Sequence, residues 1–99
     1  MARHDVFAGR SGSSYLLDVQ AGLLDHLQTR VVVPLLPAAA APPPIRKLHP
    51  AFEIDGHKLV MATHLIATVP VSELGEMRFS LAGHRDDIVG ALDMLFLGF

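Results

Sequence analysis

Phe52-Glu53-Ile54-Asp55-Gly56-His57-Lys58-Leu59-Val60-Met61 is the stretch that decides the fold. Residues with strand character flank Asp55-Gly56, a pair that accepts the positive φ angles of a tight two-residue hairpin turn. A hairpin here makes the middle of the chain β. Upstream, Val6-Phe7 and Tyr15-Leu16-Leu17-Asp18-Val19 read as two short strands, with the turn-forming Gly9-Arg10-Ser11-Gly12-Ser13-Ser14 as their loop. Asp25 to Thr29 is polar and loop-like, and Arg30-Val31-Val32-Val33-Pro34-Leu35-Leu36 is a β-branched, mostly buried strand. Proline cannot donate to a ladder, so Pro34 predicts an edge, a bulge or the strand's end.

Downstream of the hairpin, 62–71 is apolar, Ser72 to Gly75 suits a turn or a single helical turn, and Arg78 to Leu81 suits a last strand. From Gly83 the period changes. His84-Arg85-Asp86-Asp87 places two acids where a helix N-terminus favours negative charge. Ile88, Ala91, Leu92, Leu95, Phe96 and Phe99 then recur at three- and four-residue spacings. The spacing predicts an amphipathic helix over 84–97, with Ile88, Ala91, Leu92 and Leu95 in the core. Gly98 ends the helix and leaves Leu97 and Phe99 on a projecting apolar tip. Many β segments and one terminal helix imply a mainly β domain with α: a twisted antiparallel, SH3-like barrel sheet carrying the helix.

The totals set the outer limits. Ninety-nine residues form a single domain over 1–99, and 51 % apolar content is enough for a core. Apolar runs fall short of the roughly 18–20 residues that span a bilayer, and no secretion signal precedes them, so a cytoplasmic location without membrane contact is expected. A net charge of −2 offers no general attraction for nucleic acid; Arg46-Lys47 near His49 is only a small basic spot. With no cysteine there is no disulfide and no thiolate chemistry. Pro37 to Pro44, alanines flanked by prolines, reads as an exposed loop of polyproline character without a helix.

Chemistry-bearing patterns are sparse. The six histidines, His4, His26, His49, His57, His64 and His84, form neither a helical ligand pair nor a tight cluster, so no metal site is expected. His57 beside its turn should be solvated, and His64 in an apolar stretch should be a hydrogen-bonded structural residue. No nucleophile elbow, phosphate loop or dinucleotide fingerprint is present. Asp86-Asp87 are adjacent on a helix and cannot act as a facing acid–base pair. No catalytic residue and no cofactor are expected.

The order of segments resembles the CcdB toxin family. The resemblance rests on Leu17-Asp18-Val19-Gln20 with Leu23-Leu24-Asp25, then Val32-Val33-Pro34-Leu35, Ile54-Asp55-Gly56 and Met61-Ala62-Thr63. Val69-Pro70 with Leu74-Gly75, and His84-Arg85-Asp86-Asp87-Ile88 through Phe96-Leu97-Gly98-Phe99, complete it. It implies an SH3-like barrel sheet with a C-terminal helix and a homodimer. It further implies the toxin half of a type II toxin–antitoxin pair, acting without catalysis by trapping DNA gyrase on cleaved DNA through the gyrase A subunit. A CcdA-like antitoxin would neutralise the toxin, and operator DNA would be contacted only through the antitoxin complex. By the same resemblance, gyrase contact maps onto Phe96, Leu97, Gly98 and Phe99, with Asp93 one turn earlier, and onto Leu23 and Leu24. Leu97 and Asp93 depart from the family pattern, which carries tryptophan and asparagine there. Two other readings share the fold: an endoribonuclease toxin using Arg30, Arg46, Lys47 and His49 in a basic groove, and a homologue that binds an antitoxin but has lost gyrase activity.

Overall fold

The computed structural model describes residues 2–10 and 15–99. Seven strands form one antiparallel sheet: β1 (Asp5–Gly9), β2 (Tyr15–Asp18), β3 (Thr29–Pro37), β4 (Ala51–Ile54), β5 (His57–Met61), β6 (Ala67–Pro70) and β7 (Leu74–Ser80). They run in the order β4-β5-β3-β2-β1-β7, with β6 also on β3. One α-helix, α1 (Arg85–Leu97), follows among the described residues. This is the expected half-barrel of antiparallel strands with a C-terminal helix. The turn predicted between β1 and β2 falls largely on 11–14, outside the described residues.

The hairpin forms as the sequence dictates. Ile54 pairs with His57 across a two-residue turn, and Asp55 (φ 52) and Gly56 (φ 81) both take the left-handed backbone. Helix α1 starts at Arg85, with Asp86 and Asp87 in its first turn. The last strand starts earlier than Arg78, at Leu74, because the turn before it is confined to Val71–Glu73. Gly75 is required by close approach, since a Cβ there would lie 2.7 Å from the carbonyl oxygen of Ala8.

Pro34 corrects the expectation of an edge or a strand end. It lies in the middle of β3, opposite Leu16 of β2. On its other side, β6 covers Thr29 to Val32 and β5 covers Leu35 to Pro37. The Pro34 carbonyl accepts from the Ala62 N–H (2.9 Å), and the missing Pro34 N–H faces the same side, at the gap between the two partner strands. A proline is tolerated there because no ladder donor is needed. Pro37 to Pro44 is largely exposed as expected, yet Ala38–Ala40 does wind into one 3-10 turn.

The main core joins the sheet to the helix: Val6, Leu17, Val33, Leu35, Phe52 and Met61 pack with Ile88 and Ala91. Each large buried side chain contributes about 1.5–3 kcal/mol. Leu92 packs at the rim of this cluster, and Leu95 is only half-buried, so the predicted core face of α1 fades toward its C-terminus. Helix α1 packs on Ala82–His84 and on Thr63–Leu65, and its fully buried residues, Ile88 and Ala91, both lie in its first seven residues.

Candidate functional site

The end of α1 is where burial and composition disagree. Ile88 and Ala91 are fully buried, whereas Phe96, Leu97 and Phe99 expose 68 %, 60 % and 74 % of their surface. Gly98 (φ 82) takes the left-handed conformation past the helix end, and its N–H donates to the Met94 carbonyl at 3.1 Å. That closes the last turn and swings Phe99 out of the helical path. Asp93 is exposed on the preceding turn. Three large apolar side chains clustered at one solvent-facing tip are the usual mark of an interaction surface.

A second apolar group lies on the turn Gly22–Leu24 and the loop after it. Leu23 is 88 % exposed, and Leu24 and Leu27 are each 41 % exposed. Leu27 escaped the sequence reading; its only signal was an apolar residue inside a polar loop. The resemblance places Leu23 and Leu24 with the tip as one contact set. Within this chain they sit on a different element from the tip.

The polar residues beneath the loop are buried. Asp18 and Arg30 are fully buried and paired through Arg30 Nη2 and Asp18 Oδ2, while Arg30 Nη1 donates to Asp25 Oδ1 at 2.8 Å. Burial opposes the Arg30 charge, but the hydrogen bonds to Asp18 and Asp25 outweigh it and raise the guanidinium pKa above its ordinary value. The Gln20 N–H donates to Asp18 Oδ1 at 3.0 Å. Gln20 Nε2 donates to the Leu24 carbonyl at 3.1 Å, and Gln20 Oε1 accepts from the Val31 N–H at 3.0 Å.

This burial removes Arg30 from the groove that a ribonuclease reading needs: its charge is spent inside the protein. Arg46 and Lys47 are exposed, but His49 is buried, with its Nδ1 accepting from the Ile45 N–H at 2.8 Å. Its proton therefore sits on Nε2 and is donated to His64 Nδ1, 2.8 Å away. Burial, then the nearby His64, lowers the His49 pKa. His64 is thus the hydrogen-bonded histidine expected, and its partner, fifteen positions away in sequence, is a second histidine that the spacing did not reveal. Among the described residues no group of three or more His, Cys, Asp or Glu is placed to hold a metal. No helix among them is long and apolar enough to cross a membrane.

Compared with known families, residues 3–98 match the model described as CcdB protein. The chain belongs to the CcdB family. Membership puts it among the toxins of toxin–antitoxin systems. Solved structures agree on the fold. An endoribonuclease in complex with its cognate antitoxin, from a mycobacterial species, superposes with a TM-score of 0.77 at 19 % identity, covering 100 % of this chain and 96 % of that one. An endoribonuclease from a mycobacterial species gives a TM-score of 0.77 at 20 % identity, covering 100 % and 92 %. At such identities the likeness establishes shared architecture and nothing about activity.

Proposed function

We propose that this CcdB-family chain is a toxin that binds the A subunit of DNA gyrase, traps the enzyme on cleaved DNA, and is neutralised by a cognate antitoxin. It works as a homodimer and by binding alone, in the cytoplasm, without cofactor or metal. The observation that carries this reading is the tip: Phe96, Leu97 and Phe99 are held open to solvent beyond a helix whose earlier turns are buried. A two-fold axis relating two such tips would present one paired wedge to a symmetric target. Leu23 and Leu24 supply the second contact, and Asp93 flanks the first. The toxin reaches operator DNA only through its antitoxin, in keeping with the net charge of −2.

The test is a cleavage assay with gyrase from the same host. Purified protein is expected to accumulate linear DNA, and deletion of 97–99 is expected to abolish this while the fold survives. Absence of both cleavage and binding to the A subunit at high excess overturns the reading. A second reading, RNA cleavage, takes its cue from the names of the neighbouring structures; against it stands Arg30, buried and ion-paired with Asp18 and Asp25. Incubation with RNA across divalent-metal conditions separates the two, and intact RNA is the expected result.

A further inference from the structure

The loop over 21–28 presents a physical puzzle. None of its residues is buried, and Leu23 is almost fully exposed, so apolar packing does not hold it in place. Its internal turn bonds, Leu24 N–H to the Ala21 carbonyl (2.9 Å) and Leu27 N–H to the Leu24 carbonyl (3.1 Å), shape it but do not attach it to the body. Asp25, Leu27 and Gln28 line a hollow together with Pro70, Val71 and Ser72. Attachment rests on polar links: Gln20 Nε2 to the Leu24 carbonyl, Arg30 to Asp25, and the Val71 N–H to the Gln28 carbonyl at 2.9 Å where β3 begins. Two of these three originate from buried side chains on the strand side.

A fully buried arginine is a poor device for stability, because desolvation consumes most of the attraction it gains. It is a good device for geometry. Arg30 has one guanidinium nitrogen on Asp18 inside the sheet and another on half-exposed Asp25 in the loop, so the planar fork fixes the distance and direction between them. Gln20 repeats the arrangement one layer over, gripping the Val31 N–H with one end and the Leu24 carbonyl with the other.

We propose that Arg30 and Gln20 are positioning residues, forming a buried polar clamp that sets the conformation in which the 21–28 loop presents Leu23 and Leu24 to a protein partner. The identity of that partner, the gyrase A subunit, rests on the reading above. Presenting the leucines preformed removes the ordering cost that a free loop would charge against binding. Neither clamp residue touches the partner.

Hydrogen exchange of the purified full-length protein tests the clamp without any partner. Asp25→Ala and Gln20→Glu each cut one link to the loop; the second keeps the acceptor for the Val31 N–H. Exchange at the Leu24 and Leu27 amides is expected to accelerate about tenfold or more, with Val33 and Leu35 unchanged. Asp25→Glu, which can still reach Arg30, is expected to restore slow exchange. Unchanged loop exchange in both variants, or equal acceleration at Val33 and Leu35, overturns the proposal. Affinity for the isolated gyrase A subunit is the second readout, with Leu23→Asp as reference. Asp25→Ala is expected to weaken binding about tenfold. If its loop opens while its affinity stays at the parent value and Leu23→Asp fails to bind, the presentation role is wrong. If Leu23→Asp also binds like the parent, the clamp stands on the exchange data, and the assignment of Leu23 as a gyrase contact is what fails.

Discussion

Helix α1 makes two opposite predictions from two side chains nine residues apart. Ile88 is fully buried and packs in the main core, so Ile88→Ala leaves a cavity and costs about 2–5 kcal/mol. For a domain of this size that lowers Tm by roughly 10–30 °C. Leu97 keeps 60 % of its surface open. Truncating it removes little buried area, and Leu97→Ala should cost folding less than about 1 kcal/mol. The open 60 % is what a partner can cover. Scaling the worth of a buried leucine by that fraction leaves roughly 1–2 kcal/mol for binding, or about a five- to thirtyfold rise in Kd. Calorimetric melting at matched protomer concentration and titration of the gyrase A subunit measure the two quantities separately. Leu97→Trp adds a π face for arginine stacking and should tighten binding about two- to thirtyfold if the target offers one. Leu97→Ala binding as tightly as the parent, or melting as early as Ile88→Ala, would refute this division of roles along α1.

Three further outcomes follow from the same geometry. Gly98→Ala forces a Cβ onto a backbone at φ 82 and should cost about 1 kcal/mol, visible as a lower Tm, while re-aiming Phe99 and weakening gyrase cleavage. Gly75→Ala drives a methyl into the Ala8 carbonyl and should loosen the β1–β7 pairing, read as faster amide exchange along β7 and a Tm lower by several degrees. Burial, then Arg3 and Arg85, lowers the pKa of His4, whose Nε2 has no hydrogen-bond partner among the described residues. A depressed histidine pKa means that the unfolded chain binds the extra proton, so stability is complete above about pH 6.5 and falls as the pH drops below it. His4→Asn, which tolerates the left-handed φ of 73, should flatten that acid limb in melts at pH 5 and 7; an unchanged slope assigns the limb elsewhere.

Local chemistry and order were legible from the sequence alone. Asp55-Gly56 dictated a hairpin because few other pairs accept two positive φ angles, and the change of period after Gly83 dictated the helix. The helix end was legible too, since Gly98 favours the left-handed stop that the structure adopts. Long-range placement was not. Whether Pro34 breaks a strand depends on which neighbours flank it, and only the sheet, by leaving a gap between β5 and β6, makes it harmless. Whether Arg30 is a surface base or a buried fork depends on Asp18 and Asp25 lying across it, twelve and five positions away. His49 and His64 meet for the same kind of reason. Periodicity and turn chemistry act over a few residues, so the sequence determined the elements and the apolar tip. Burial, partners and protonation are set by strand pairing across the whole chain, and these only the tertiary structure decided.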